Sequence, residues 1–215
     1  MLPQRYFDRF YDWIVRPIVG EADLKAIDQI DLDTFGGHAL SFENLSKLHH
    51  TYPDGHRLLC VDDTILGYIS LWPLTPQQAI TLVSGQLPEK ERIPMTTAQV
   101  AKDGAQFWYI GGMIIVPELR KPIKDNPVGM MMAMALNSWA ESGQLKYPTE
   151  VLTTAYSPEG AALLKRFGFE LVRPGSQMPD GFPLYRRSAT SKNALFEIFA
   201  QRGIPLLFDD HGAGV

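Results

Sequence analysis

The sequence predicts one α/β domain followed by a C-terminal helical extension, and three observations carry this prediction. Short runs rich in β-branched and aromatic residues alternate with segments of helical apolar spacing. Two of the runs flank an Asp-Asp turn, as the strands of a hairpin do. Residues 1–190 contain no repeat and no linker-like segment, and a separate amphipathic segment follows them. We therefore expect one domain over residues 1–190 and a helix with a loose tail over residues 191–215.

Composition and charge narrow the class of protein. Hydrophobic residues form 45% of the 215-residue chain, which is enough for a packed core, and the net charge of -4 does not favour nucleic acid. No stretch of 18 consecutive apolar residues predicts a membrane span. The single cysteine excludes an internal disulfide, and the histidines lack metal-binding spacing. We expect a cytoplasmic protein with no metal.

The N-terminal half predicts a strand, two helices and a hairpin. The strand covers residues 13–18, and the helix over residues 21–35 has its apolar positions at Leu24, Ile27, Ile30 and Phe35. Ser41 is placed to cap the second helix. The hairpin pairs residues 56–61 with 65–72, and Gly67 within it predicts a bulge or a close backbone approach.

The C-terminal half alternates strands and helices. We expect strands over residues 106–116, 149–156, 168–172 and 182–189, with helices over 128–142 and 157–167 between them. A last helix begins after Ser191 and carries an apolar stripe of Leu195, Phe196 and Phe199. The stripe must be covered by the same chain or by a second copy, and we favour a homodimer contact.

A basic loop joins the strand at 106–116 to the following helix. It holds Arg120, Lys121 and Lys124, and the helix begins near Pro127. The positive end of the helix dipole, the cations and the small Gly129 together describe a phosphate cradle. An ordinary solvated basic loop is the alternative.

Two segments around this loop resemble a known family. The segment "MIIVPELR" resembles the LxVxPxxR signature of the GCN5-related N-acetyltransferases (GNATs), through Met113, Ile115, Pro117 and Arg120. The segment "SPEGAALLKRFGF" resembles the family's NxxAxxLYxxxGF segment, through Leu163, Gly168 and Phe169. The resemblance covers roughly residues 13–188. It implies a mixed, mostly antiparallel sheet whose fourth and fifth strands splay apart, with flanking helices.

The resemblance also implies an activity and a set of binding residues. The activity is transfer of an acyl group from acyl-CoA, by default acetyl-CoA, to the amine of a small molecule or peptide. The strand at 106–116 would bind the pantetheine arm, and Gly111–Gly112 fits the bulge that starts the splay. The implied CoA-binding residues are Met113, Ile114, Ile115, Val116, Arg120, Lys121, Lys124, Asn126, Val128, Gly129, Met130 and Ser157.

Several positions depart from the family pattern. Tyr109 stands where many members place a catalytic carboxylate, and we take it as the catalytic candidate, orienting a water rather than acting as a base. Leu164 stands at the position of the tyrosine that protonates the departing thiolate. A domain that binds acyl-CoA or a protein partner without transfer therefore stays an alternative. Other candidate bases, more distant in sequence, are Glu43, Asp62 and Asp63.

The long interval Pro73–Ala105 separates two strands and contains a short helix candidate at 76–84. A connection of this length in a compact domain is functional or poorly ordered. With the strand at 168–172 taken as antiparallel to that at 149–156, the connection 173–182 and the interval would emerge at the same end of the sheet. We expect the interval to form part of a lid over the acceptor site at that end, together with the loop Gly36–Ala39.

Overall fold

The computed structural model describes residues 12–36, 40–86, 105–120 and 127–204. Their elements follow the order expected from the sequence, with boundaries shifted by a few residues. The strands are β1 (Ile14–Arg16), β2 (His56–Val61), β3 (Thr64–Leu74), β4 (Phe107–Ile115), β5 (Thr149–Thr154), β6 (Glu170–Arg173) and β7 (Leu184–Ala189). The helices are α1 (Glu21–Phe35), α2 (Phe42–Thr51), α3 (Pro76–Val83), α4 (Pro127–Glu141), α5 (Pro158–Arg166) and α6 (Lys192–Gln201).

The strands form one mixed, mostly antiparallel sheet, as predicted. Its order is β1-β2-β3-β4-β5-β7-β6, and β4–β5 is its parallel pair. Both β5 and β6 are antiparallel to β7, which lies between them. Strand β6 therefore runs parallel to β5, and the expectation that it runs antiparallel was wrong. The sequence does not reveal that the last strand inserts between its two predecessors.

Strands β4 and β5 separate halfway along their length. Their pairing extends from Phe107 opposite Glu150 to Ile110 opposite Thr153. Strand β4 continues to Ile115 paired with β3, and a register shift there leaves Gly111 as one extra residue. The predicted splay and the predicted glycine bulge are both confirmed.

The two faces of the sheet are covered by different helices. The α1 face carries Tyr68, Ser70 and Trp72 of β3, together with their β4 partners Ile114, Gly112 and Tyr109, because directly paired residues point to the same side. The Tyr68 hydroxyl donates a hydrogen bond to Asp31, which places α1 over this face. On the opposite face, Arg57 donates through Nε to Ser138 Oγ of α4 at 3.0 Å.

Gly67 lies at a close approach of the β3 and β4 backbones. A Cβ atom at this position would lie 2.4 Å from the Ile114 carbonyl oxygen and 2.9 Å from Ile115 Cα. The neighbouring pairs Leu59–Gly67 and Cys60–Ile65 leave one extra residue in β3. Both features predicted for Gly67, a bulge and a close backbone approach, are confirmed.

The apolar stripe of α6 packs within the chain. Leu195, Phe196 and Phe199 are at most 2% exposed, and the Phe199 ring stacks on Phe167 with a centroid distance of 5.1 Å. Arg187 of β7 fixes the helix by donating to the carbonyl oxygens of Phe167 and Leu195. The expectation that this stripe forms a homodimer contact was wrong, because the protomer itself buries it.

The described helices are short. The longest, α1 and α4, have 15 residues each. No helix in the four described ranges is long and apolar enough to cross a membrane.

Candidate functional site

The splay gives β4 an open edge at its C-terminal half. Beyond Ile110, the strand is paired with β3 alone, through Gly112 to Ile115. Its β5-facing side is an edge onto which an extended, amide-bearing chain can add by main-chain hydrogen bonds. The predicted binding residues Met113, Ile114 and Ile115 form this segment, and Val116 ends it by donating its N–H to Leu66 O at 2.8 Å.

The N-terminus of α4 lies at the same end of the sheet as the C-terminal end of β4, because α4 crosses back from β4 to the parallel strand β5. The helix begins at Pro127, Gly129 is its third residue, and the first turn closes with Met130. Gly129 and Met130 are buried and Val128 is half-buried. The positive end of the α4 dipole therefore lies where a phosphate cradle was predicted, without a side chain at Gly129 to obstruct it.

Arg120 lies at the junction of β4 with α1. Its Nε donates to the Ile115 carbonyl oxygen at 2.8 Å, and its terminal nitrogen donates to Thr34 Oγ1 at 2.9 Å. The guanidinium is exposed, so an anion at this end of β4 can reach it. Lys121, Lys124 and Asn126 lie outside the described residues.

Ser157 follows β5 and caps α5. Its hydroxyl oxygen accepts a hydrogen bond from the Gly160 N–H at 3.0 Å. The side chain is exposed and retains its own O–H as a donor. Because β4 and β5 are parallel, Ser157 lies at the same end of the splay as the N-terminus of α4, on the β5 side.

Tyr109, the catalytic candidate, is buried on the α1 face. Its hydroxyl shares a hydrogen bond with Thr154 Oγ1, the last residue of β5, at 3.0 Å. The phenol is thus anchored across β4 and β5 where they diverge. The structure does not place the alternative bases beside Tyr109. Glu43 is exposed and forms an ion pair with Lys47 on α2, and Asp62 and Asp63 form the turn between β2 and β3.

The structure brings together two polar residues that the sequence does not single out, Asp31 of α1 and Tyr68 of β3. Both are buried, and Tyr68 donates its hydroxyl proton to Asp31 Oδ1. Burial raises the pKa of Asp31 to about 6, opposed by the Tyr68 hydrogen bond and assisted by Asp28. A signal existed: Asp31 stands four residues after Ile27 in the apolar stripe of α1, an unusual place for a carboxylate.

Leu164, at the position expected for the family's tyrosine, lies in the interior of the protein. It is 2% exposed and belongs to the main hydrophobic core. No hydroxyl is available at this position to protonate a thiolate.

Aromatic rings line the mouth of the splay. Tyr156, which follows β5, lies 5.5 Å from Phe35 at the end of α1 and 4.4 Å from Phe182 in the β6–β7 connection, measured between ring centroids. Because β6 runs parallel to β5, this connection emerges at the end where β4 finishes. The expectation that it emerges where β4 begins was wrong for that reason.

The interval Pro73–Ala105 is described only at its two ends. Its first part forms α3, capped by Thr75 and Gln78, as expected for a short helix there. Arg173, at the end of β6, donates through Nε to the Val83 carbonyl oxygen at 2.9 Å, so α3 reaches the β6–β7 connection. Residues 87–104, most of the predicted lid, and residues 37–39 of the loop Gly36–Ala39 lie outside the described residues.

Solved structures share this architecture. The loading GNATL domain of CurA from Lyngbya majuscula matches with a TM-score of 0.59 and 14% identity, over 82% of this chain and 97% of that one. FeeM, an N-acyl amino acid synthase from uncultured soil microbes, matches with a TM-score of 0.56 and 13% identity, over 88% of this chain and 93% of that one. A third match is Arabidopsis thaliana Naa50 in complex with the bisubstrate analogue CoA-Ac-MVNAL. Its TM-score is 0.51 and its identity 13%, over 83% of this chain and 99% of that one.

The chain therefore has the GNAT fold, as the two sequence segments implied. The likeness extends over almost the whole length of each of these structures, at identities that carry the fold alone. No family model and no curated protein sequence matches this chain.

Proposed function

We propose that the protein is an acyl-CoA-dependent N-acyltransferase, with acetyl-CoA as its default donor and a small amine or peptide as acceptor. The observation that carries the proposal is the open edge of β4 between Gly112 and Ile115. The N-terminus of α4 lies at the same end of the sheet, because α4 crosses from the end of β4 to the start of the parallel strand β5. An extended thioester-bearing arm fits the edge, and a pyrophosphate fits the positive end of the helix.

The proposed donor site combines main-chain and charged groups. The pantetheine amides would pair with the β4 segment Met113–Val116, while Val128, Gly129 and Met130 present the first turn of α4 to the pyrophosphate. Arg120, Lys121 and Lys124 would add positive charge, and Asn126 and Ser157 would add polar contacts. Exposed cations contribute modestly to such binding, so the edge and the helix terminus supply most of the specificity.

The proposed reaction is direct attack of the acceptor nitrogen on the thioester carbonyl carbon. The C–N bond forms, the C–S bond breaks, and the thiolate leaves with the electron pair. In this reaction Tyr109, held by Thr154, orients a water or the acceptor through its hydroxyl. A buried phenol is a poor base at neutral pH, so its role is positioning.

Replacement of Tyr109 by Phe is expected to lower kcat about 5–10-fold, the size of one lost neutral hydrogen bond. Thr154→Val should have a similar effect, and the double variant should be no slower than either single one, because both act through one contact. Steady-state kinetics of the three variants provide the measurement. Additive losses would contradict a shared role.

The acceptor side is proposed to lie at the splay mouth, bounded by Tyr156, Phe182 and α3. Arg173→Ala removes the contact that ties α3 to the β6–β7 connection. We expect it to raise the acceptor KM about 3–10-fold and to leave CoA affinity unchanged, since no predicted CoA contact is lost. Arg166→Ala, at an exposed position of α5, is the control. A loss of CoA affinity in Arg173→Ala would contradict the assignment of α3 to the acceptor side.

A second reading is favoured by one observation, the buried Leu164. A GNAT-fold domain without that hydroxyl can bind acyl-CoA, or a protein partner, and transfer nothing. Two measurements on the wild-type chain separate the readings: calorimetric titration with CoA, and release of CoA thiol from acetyl-CoA in the presence of an amine panel. Amine-dependent thiol release supports the enzyme, binding without release supports the non-catalytic domain, and absence of both rejects the donor site.

A further inference from the structure

Asp31 and Tyr68 form a buried polar pair beside the splay. The side chains belong to residues that are 6% and 4% exposed, and the Tyr68 hydroxyl donates to Asp31 Oδ1. Within the described part of the chain, Tyr68 is the one hydrogen-bond donor to this carboxylate. The second carboxylate oxygen therefore lacks a donor from those residues.

The Tyr68 hydroxyl also adjoins the backbone of β4. A Cβ atom at Gly112 would lie 3.0 Å from that oxygen, so only a glycine leaves the phenol its full space. Gly112 is the first residue after the Gly111 bulge and lies beyond the last β4–β5 pair. The Asp31–Tyr68 pair thus borders the point where β4 opens, on the α1 face that also carries Tyr109.

Packing alone does not call for a carboxylate at this place. The surrounding cluster is apolar and includes Leu24, Ile27 and Ile114. Withdrawing an ionised carboxylate from water is costly, whereas an apolar pair of similar volume fills such a space without that cost. In contrast, a carboxylate in a partly shielded site, with a pKa close to neutral pH, is a suitable proton acceptor.

The electrostatic surroundings of the pair leave it able to take a proton near neutral pH. Burial lowers the pKa of His56 to about 3, so this ring, 6.1 Å from that of Tyr68, is neutral. Burial also raises the pKa of the Cys60 thiol. Arg120 approaches α1 through Thr34, three residues beyond Asp31. The titratable or charged groups around the pair are Asp28 of α1, which acts on Asp31, His56 beside Tyr68, Cys60 in the same cluster, and Arg120, which is bonded to α1.

We propose that the Asp31–Tyr68 pair is the proton acceptor for the acceptor amine, an inference that rests on the proposed N-acyltransferase function. As the C–N bond forms, the amine nitrogen gives its proton to the Tyr68 oxygen while Tyr68 gives its own to Asp31. The C–S electron pair leaves with the thiolate. Asp31 afterwards releases its proton to solvent, and the thiolate takes up one proton to give the CoA thiol.

The test measures acetyl transfer from acetyl-CoA by the full chain between pH 5 and 9. The acceptors are 2-phenylethylamine, spermine, L-phenylalanine and a peptide with a free α-amino group. Asp31→Asn is expected to lower kcat about 100-fold or more and to remove the acid limb of the pH profile near pH 6. The KM for acetyl-CoA should stay within about twofold of wild type, because no donor contact changes.

Two further variants sharpen the result. Tyr68→Phe keeps the ring and removes only the relay hydroxyl, so it decides the question if Asp31→Asn fails to fold. Asp33→Asn, exposed and on the same helix, is the matched control and should retain full activity.

The possible failures are distinguishable. If both Asp31→Asn and Tyr68→Phe transfer acetyl groups within about threefold of wild type and keep the acid limb, the inference is overturned while the enzyme stands. If the wild-type chain binds CoA but acetylates no acceptor, the proposed function fails and the inference falls with it.

Discussion

Gly129→Glu is expected to weaken CoA binding at least about 100-fold. The residue is the third of α4 and is buried, so a new side chain at this position must displace its neighbours or enter the cradle. Its carboxylate would also face the anionic pyrophosphate at the positive end of the helix, where like charges repel by several kcal/mol. A factor of 100 corresponds to about 2.7 kcal/mol, well within the combined steric and electrostatic cost.

Isothermal calorimetry with CoA measures this effect, and Gly20→Glu is its matched control. Gly20 is the N-cap of α1, has an extended backbone, and has nothing within 4 Å of an added Cβ atom. The same charge is thus introduced at the end of another helix, without obstruction. Unchanged CoA affinity in a folded Gly129→Glu protein would contradict binding of the pyrophosphate at the N-terminus of α4.

The sequence predicted β4 and α4 correctly because local signals define both elements. Proline at a helix start, glycine at a bulge and a basic loop after a β-rich run each have a local physical cause. Gly111 and Pro127 therefore lie where expected. The two family-like segments placed the same elements independently.

The sequence failed where the answer depended on strand order. Inserting β7 between β5 and β6 reverses the end at which the β6–β7 connection emerges, and no local signal in residues 168–189 encodes that choice. The apolar stripe of α6 shows a related limit. A periodic stripe predicts that a helix face is buried, but not whether Phe167 of the same chain or a second copy buries it.

The Asp31–Tyr68 pair was missed because it joins residues 37 positions apart in the chain. The tyrosine reads as an ordinary strand residue, and the aspartate as one of several acidic residues in α1. Only the contact between the two, and the place of Gly112 beside them, makes them a candidate site.

The same pair gives the second large prediction, which concerns stability instead of turnover. Burial raises the pKa of Asp31 from its ordinary 3.8 to about 6, so the folded state holds this proton more tightly than the unfolded state. The carboxyl group therefore contributes stability at low pH, and that contribution is lost as the pH rises from about 4 through about 6. Above that range the folded protein carries a buried carboxylate at a cost of about 2–3 kcal/mol.

Asp31→Asn is expected to be more stable than wild type at pH 8, because Asn still accepts the Tyr68 hydrogen bond and has no charge to bury. The difference in unfolding free energy between variant and wild type should grow by about 2–3 kcal/mol between pH 4 and pH 8. Urea unfolding at both pH values measures it, and Asp33→Asn, exposed on the same helix, should show no such growth. If the difference in unfolding free energy stays constant or shrinks between pH 4 and pH 8, ionisation of Asp31 does not destabilise the folded state. Asp31 would then lower stability at the pH where it accelerates transfer. Such a trade-off is expected of a catalytic group, because the ionised form that accepts the proton is the form that burial destabilises.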